Sequence, residues 1–523
     1  MTDRFWIRHG TLLETEPPAW EGGFTVQGPL FQPEEMPAGG GEGMPPQTDS
    51  FWNDLLQLNR RLGATKKALS LLKDVSRGKA DVLITGQQPG ILGGPLYNFL
   101  KLATTVVTAR RWSEHSGRPV LPLFWGVTDD TDFGEISWTL LPDRQLRLNK
   151  IRIEPEPESQ QNMVGCFPRE SWQEGFDQAL GLIGVEGDLN REPVWLKSLA
   201  GLPGDDWGEA FLALLLHLTG PHPLIVVDGR RPSLLSPARP LFEKYLEHLP
   251  AAMDAIKSRG EELQKRQITP LLDSESALRP IYILKESKRI RRDGEAEGMW
   301  APNVILRPLM QGYLFPQRGV VVGLGEILYR IQMRDLYKIM DLQPPALLPR
   351  FSATILPPWV QQLPKDIVPM EWLLDIEAAR AKLERSPAGE KLGHLSGGFR
   401  KKLRAILAGM AEIGSEEDKS YPQLVASVER KIDFQIKRLE EGLRAKIRAR
   451  RLRENPGLAH FEEFLRPKGR LQERGLSLLT AGLFCGPDIY SEILDWVEEW
   501  GNQWSGSEGK WSHWVMGPPK DKS

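Results

Sequence analysis

Three stretches of this chain put polar side chains directly after short apolar runs. In an open α/β sheet, ligands bind beyond the carboxyl ends of the strands, so chemistry is expected at these positions first. Behind Val82-Leu83-Ile84 comes a loop running from Thr85 through Gln87, Gln88 and Gly90 to Tyr97. Its glycines let backbone N–H groups approach an anionic group, and the two glutamines add directional hydrogen bonds. The loop is neither a P-loop nor a dinucleotide fingerprint, and a glycine-stabilised strand-to-helix connection explains it equally well. Lys101, one turn into the next helix, either supplies a charge or faces solvent.

The second stretch follows the run 120–127 and carries Asp129, Asp130 and Asp132. Such crowding repels itself unless a substrate ammonium, a Mg²⁺ ion or helix N-terminal amides balance it. Asp132 with Glu135 three residues on fits a capping box, which leaves Asp129 or Asp130 for catalytic work on a ligand. The third stretch holds Arg307 and Gln311, then Glu326, Tyr329 and Gln332 at helical spacing behind a glycine turn, then Arg350. Arg307 and Arg350 are of the type that clamps a carboxylate in bidentate fashion; structural ion pairs are the alternative.

Other chemistries find little support. The eight histidines show no His-x-x-x-His spacing and the two cysteines, Cys166 and Cys485, no Cys-x-x-Cys, so neither a zinc site nor a thiolate metal site is expected. No Gly-x-Ser-x-Gly elbow occurs. The basic run 285–292 reads as a solvated turn, with phosphate binding as the alternative. Sixty-seven basic against sixty-nine acidic residues give a net charge of −2, which predicts neither nucleic acid nor an anionic membrane as partner. A charged N-terminus and the absence of any eighteen-residue apolar stretch predict a soluble cytoplasmic protein.

Those residues need a scaffold. Val82-Leu83-Ile84, the run 120–125, Leu224-Ile225-Val226-Val227, Ile281-Tyr282-Ile283-Leu284 and Val320-Val321-Val322 are strand-length and apolar without alternation, as in a parallel sheet covered on both faces. Amphipathic segments at 96–112 and 234–249 lie between them, and a helical run from Phe51 ends near Gly78. The fold class expected is α/β, a Rossmann-like doubly wound core over residues 1–368. Residues 16–49 carry seven prolines and seven glycines and read as an irregular arm. Beyond Pro369, Phe399, Leu403, Ile406, Met410 and Ile413 form a heptad-type seam. Val428, Ile432, Ile436, Leu439, Leu443 and Ile447 answer it across a turn at Ser415-Glu416-Glu417-Asp418. An antiparallel helical arm over 369–455 follows, with 456–523 as a C-terminal helical segment returning to the core. The arm's apolar stripe needs a cover: a homodimer, or the protein's own core.

Taken together, four blocks resemble the bacillithiol biosynthesis cysteine-adding enzymes, the cysteine ligases. They are Thr85-Gly86-Gln87-Gln88 through Tyr97 with Lys101; Phe124-Trp125 with Asp129, Asp130, Asp132 and Phe133; Arg307-Pro308, Gln311, Gly325-Glu326, Tyr329, Gln332 and Pro349-Arg350; and Leu471-Gln472-Glu473-Arg474. The resemblance spans nearly the whole chain. It implies a Rossmann-like core with connecting-peptide insertions, a coiled coil pairing two subunits, and addition of cysteine to glucosaminyl-malate. Thr131 stands where the family usually has histidine, and Gly312 where aspartate is usual. Either Asp129 and Asp130 compensate, or the substrate differs. The chemistry expected is amide formation with ATP activation, Mg²⁺ being an optional companion. A nucleotidyl or aminoacyl transferase acting on another amine, and a dimeric scaffold with an inactive cleft, are the alternatives.

Overall fold

The computed structural model describes residues 6–7, 47–155, 159, 162–183, 192–292, 298–362, 372–373, 376–503 and 514–516. Apolar runs without polar alternation become strands buried on both faces. Here β1 (Asp81–Gln87), β2 (Val120–Gly126), β3 (Ile225–Asp228), β4 (Gln317–Val322) and β5 (Ala346–Pro349) make one parallel sheet in the order β5-β4-β1-β2-β3. Read from β3 this is 3-2-1-4-5, the order of a doubly wound Rossmann sheet. Alternation along β2 shows the double cover: Leu121, Leu123 and Trp125 pack into one helical layer and Phe124 into the other. The expected fold class holds.

Two strand assignments change. Ile281–Lys285 is not in the parallel sheet; it is the centre of a three-stranded antiparallel sheet between Lys288–Arg291 and Met299–Pro302. Its apolar side chains pack against a helical layer, so composition alone did not separate it from the true core strands. The fifth parallel strand, β5, has only Leu347 and Leu348 between small and proline residues, too short a run to stand out.

The run from Phe51 is two helices, α1 (Asp49–Leu62) and α2 (Lys66–Ser76). Gly63 at φ +98° ends the first and Thr65 caps the second, its hydroxyl accepting from the Ala68 N–H at 3.2 Å. Asn59 on α1 exchanges two 2.8 Å hydrogen bonds with the backbone of Val226, closing the exposed edge of β3. Helix α3 (Tyr97–Ser116), expected to be amphipathic, is buried almost all round from Asn98 to Ala109. The sheet covers one side and α8 (Ile489–Gln503) the other, with Arg111 donating to Glu498 at 3.0 Å. Among the described residues, no helix is long and apolar enough to cross a membrane. Most of the Pro- and Gly-rich stretch 16–49 lies outside the described residues.

The chain forms two compact units, one of residues 1–143, 148–358 and 467–523, the other of 144–147 and 359–466. The second contains an antiparallel hairpin of α6 (Pro387–Glu417) and α7 (Tyr421–Glu454). The turn is later than expected: Ser415, Glu416 and Glu417 are helical, and Asp418 bends the chain by accepting from the Ser420 N–H at 2.7 Å. The seam also differs. Ser396 and Leu407 are buried, and Arg400 crosses to Asp433 at 2.7 Å and Glu440 at 3.0 Å. Phe399, Ile406, Met410 and Ile413 point outward at 52, 61, 48 and 70% exposure. On α6 the more apolar stripe is therefore not the one α7 covers, whereas on α7 the expected stripe is partly covered: Ile447 is buried and Ile432, Ile436 and Leu443 are half-buried, while Val428 and Leu439 are exposed.

Candidate active site

In the 3-2-1-4-5 order the connections leaving β1 and β4 go to opposite sides of the sheet, and the gap between them is where such folds bind ligands. A cleft of about 500 Å³ lies there. The end of β1 contributes Thr85, Gln87 and Gln88, and the segment after β2 contributes Asp130 and Glu135. Helix α4 (Leu306–Leu314) adds Arg307 and Gln311, and α5 (Leu324–Gln332) adds Glu326, Tyr329 and Arg330. β1 and β2 converge at the cleft because Gly86 has no side chain; a Cβ there would sit 2.5 Å from the Trp125 carbonyl oxygen.

The β1 side is built on a buried cation. Lys101 does not face solvent: it is 1% exposed and donates to the Gly86 carbonyl at 2.8 Å, Gln87 Oε1 at 3.2 Å and Glu326 Oε2 at 2.7 Å. Glu326 also accepts the Gly323 N–H at 2.7 Å, which closes the start of α5. Burial pushes its carboxyl up, but the Lys101 ammonium, the Gly323 N–H and Arg330 together override burial and hold it below the usual value. Gln87 donates through Nε2 to the Tyr97 hydroxyl at 2.9 Å. Burial raises that phenol to about 12, so it stays neutral. Thr85 donates to the Val321 carbonyl at 2.9 Å, tying β1 to β4.

On the β2 side, the crowded aspartates are balanced by arginines. Asp129 is buried, with Arg307 Nη2 at 3.3 Å and Arg289 Nη2 at 3.7 Å from its Oδ2. Asp130 accepts from Gln88 Nε2 at 2.6 Å and the Thr131 N–H at 2.8 Å, with Arg289 Nη1 at 3.5 Å. Burial pushes the Asp130 carboxyl up; Arg307, Arg289 and Gln88 together override it and hold it low. Asp132 caps the short helix Phe133–Ile136 by accepting from the Glu135 N–H at 3.2 Å. Glu135 is shifted the opposite way, upward, by burial and by the charges of Asp132 and Asp130. A low and a raised carboxyl thus face one cleft.

The candidates divide by position. Thr85, Gln87, Gln88, Asp130, Arg307, Gln311, Glu326 and Tyr329 line the cleft. Asp129, Tyr97 and Lys101 stand behind it as partners of lining groups. Three expectations are corrected. Arg350 does not offer its fork to a ligand carboxylate: it grips buried Glu473, donating through Nη1 at 2.9 Å and through Nη2, and lies 5.4 Å over the Tyr97 ring. Gln332 shares α5 with Glu326 but turns from the cleft, accepting from Leu272 N at 2.9 Å and donating to Leu272 O at 2.7 Å. Gly90 serves close packing, since a Cβ there would meet Gly94 Cα at 2.6 Å.

Arg289, Glu135 and Arg330 are not among the site candidates of the sequence: Glu135 reads only as part of a cap, and Arg289 only as one of a basic run. The run 285–292 holds the turn of a β-hairpin at Glu286-Ser287, with Glu286 exposed, and continues into its second strand, Lys288–Arg291. Strand alternation in Lys288–Arg291 puts Arg289 inward, 3.9 Å over the Tyr282 ring and at 2.8 Å from the Pro302 carbonyl. Period-2 reading of that tetrapeptide was the available signal. A second hollow of about 300 Å³, bordered by Arg279, Arg289 and Arg291, shares Asp130 and Arg307 with the main cleft. Among the described residues, no group of three or more His, Cys, Asp or Glu side chains is placed to hold a metal ion.

Comparison with known proteins agrees with this architecture. The family model for the bacillithiol biosynthesis BshC N-terminal Rossmann-like domain matches residues 42–301 and 293–351, and that for the BshC C-terminal coiled-coil domain matches 365–504. A relative from Symbiobacterium thermophilum, described as "Putative cysteine ligase BshC", is 27% identical over 504 residues, covering 88% of each chain. Relatives of the same description from Exiguobacterium sibiricum (30% identical, 60% of this chain and 63% of that one) and Oceanobacillus iheyensis (24%, 84% and 87%) also match. With both domain models matched along most of its length, the chain belongs to the BshC family of bacillithiol biosynthesis, the family of the cysteine ligases.

Proposed function

We propose that this protein joins L-cysteine to the amine of glucosaminyl-malate, with ATP activating the cysteine carboxylate. Amide formation from a free carboxylate needs a better leaving group than oxide, and phosphorylation or adenylation of the carboxylate oxygen supplies one. The amine nitrogen then forms the C–N bond, the phosphorylated oxygen departs, and the nitrogen's surplus proton needs an acceptor. One observation carries the reading: two carboxyls of opposite character border the same cleft. Asp130, held anionic by Gln88 and Arg289, suits an incoming ammonium. Glu135, with its raised carboxyl, suits the proton. Gln87 and Gln88 orient polar groups, and Arg307 fixes Asp129 at the strand end.

The test is cysteine- and ATP-dependent conversion of glucosaminyl-malate by the purified protein. Asp130→Asn is expected to cost about ten- to a hundredfold in kcat/KM, the loss of one charge-assisted contact. Turnover equal to wild type removes Asp130 from the reaction. If no amide forms, and neither ATP nor either substrate raises the melting temperature, the protein is a scaffold and not a ligase.

The outward stripe of the arm supports a homodimer through α6 and α7, because Phe399, Ile406 and Ile413 form a row of exposed apolar residues along α6. Ile406→Glu with Ile413→Glu should then halve the mass measured by light scattering while leaving the helical circular dichroism unchanged. Unaltered mass in this double variant excludes the stripe as the subunit contact.

A further inference from the structure

A guanidinium buried without a counter-charge is costly, and proteins hold one only where something else supplies the anion. Arg330, on α5, is 7% exposed and lines the cleft. Its Nε and Nη1 have no hydrogen-bond partner, and no carboxylate among the described residues reaches it for an ion pair. Glu326, one turn earlier on the same helix, is near enough for its charge to favour the guanidinium but makes no ion pair with it, being engaged by Lys101 and the Gly323 N–H. The neighbouring phenols Tyr329 and Tyr337 hydrogen-bond with the guanidinium but give no charge: burial raises Tyr329 and takes Tyr337 to about 12. On the same wall, Gln311 is 4% exposed with its Oε1 unpartnered, an acceptor awaiting a donor.

We infer that Arg330 anchors a carboxylate of the bound ligand, with Gln311 taking an N–H or O–H of that same ligand. The planar fork of arginine matches two carboxylate oxygens, and the low-dielectric wall strengthens the contact. The inference rests on the ligase reading only for which carboxylate arrives: that of cysteine, which carries an ammonium beside it, or one from the malyl end of the acceptor. It also gives the site an anchor in place of Arg350, whose fork is filled by Glu473.

Isothermal titration of the full chain with L-cysteine, L-malate and inorganic phosphate, in wild type, Arg330→Met and Arg330→Lys, tests this. At least one of the two carboxylates is expected to bind wild type. Arg330→Met should weaken that binding about ten- to a hundredfold, with Arg330→Lys between the two. The carboxylate that responds identifies the source. Equal affinities in wild type and Arg330→Met, binding of neither carboxylate, or a response confined to phosphate overturns the anchor. Should Arg330→Met fail to fold, Arg330→Lys is read alone, weaker binding supporting the anchor and equal binding overturning it. Amide formation with carboxylate binding indifferent to position 330 sinks the anchor and spares the ligase reading; the converse result does the opposite.

Discussion

Glu135→Gln is expected to lower kcat about a hundredfold or more and to erase a pH dependence that wild type shows. The glutamate acts as a base only when ionised, so activity rises as pH climbs through its pKa. That pKa lies above the ordinary glutamate value because burial and the charges of Asp132 and Asp130 all oppose ionisation. The acid limb of the wild-type kcat profile should therefore sit higher than an unperturbed glutamate would put it. The glutamine variant keeps the shape and the hydrogen-bonding capacity but cannot take a proton, so its residual rate loses that limb. A kcat profile of identical shape in the two proteins would assign the proton to another group. Lowering the negative charge nearby gives an internal check: Asp132→Asn removes one repelling charge and should move the acid limb to lower pH.

The largest stability effect is expected at Glu473. Its carboxylate is fully buried and accepts from Arg350, from Ser352 Oγ at 3.0 Å and from the Ala353 N–H at 3.0 Å. Glu473→Ala leaves the Arg350 guanidinium buried with its counter-charge gone, a change of about 3–5 kcal/mol. Urea unfolding of the variant should show the midpoint falling with little change in slope. Replacing both partners by apolar residues, Arg350→Met with Glu473→Leu, should recover much of the loss, since it removes the uncompensated charge. If the single and double variants unfold alike, the pair contributes through packing and not through charge.

These two residues mark what could and could not be read from the sequence. Short-range signals survived: the cap at Asp132 needs only the next three residues, and the central strands advertise burial on both faces by composition. Signals that depend on a distant partner did not. Arg307 and Arg350 look the same locally, yet one meets Asp129 at the rim of the cleft and the other is consumed by a glutamate 123 positions later. Whether Lys101 supplies a charge or faces solvent is undecided locally because its partner, Glu326, is 225 positions away. The run Ile281-Tyr282-Ile283-Leu284 resembled a parallel strand since apolar composition reports burial, not the direction of a neighbour. On the arm, heptad spacing identified an apolar stripe correctly but had no means of telling which of two stripes the facing helix would cover.

The adjacency of β1 and β4 has a consequence for biosynthesis. Val82 pairs with Gln317, and the loop after β5 is locked only when Gln472 and Glu473 reach Ile355 and Arg350. A nascent chain leaving the ribosome leaves one edge of β1 unpaired for the whole time needed to make more than two hundred further residues, since the partner of that edge is that late. Chaperone capture during translation, and rapid proteolysis of products that stop short of residue 473, are the cellular marks such a topology should leave.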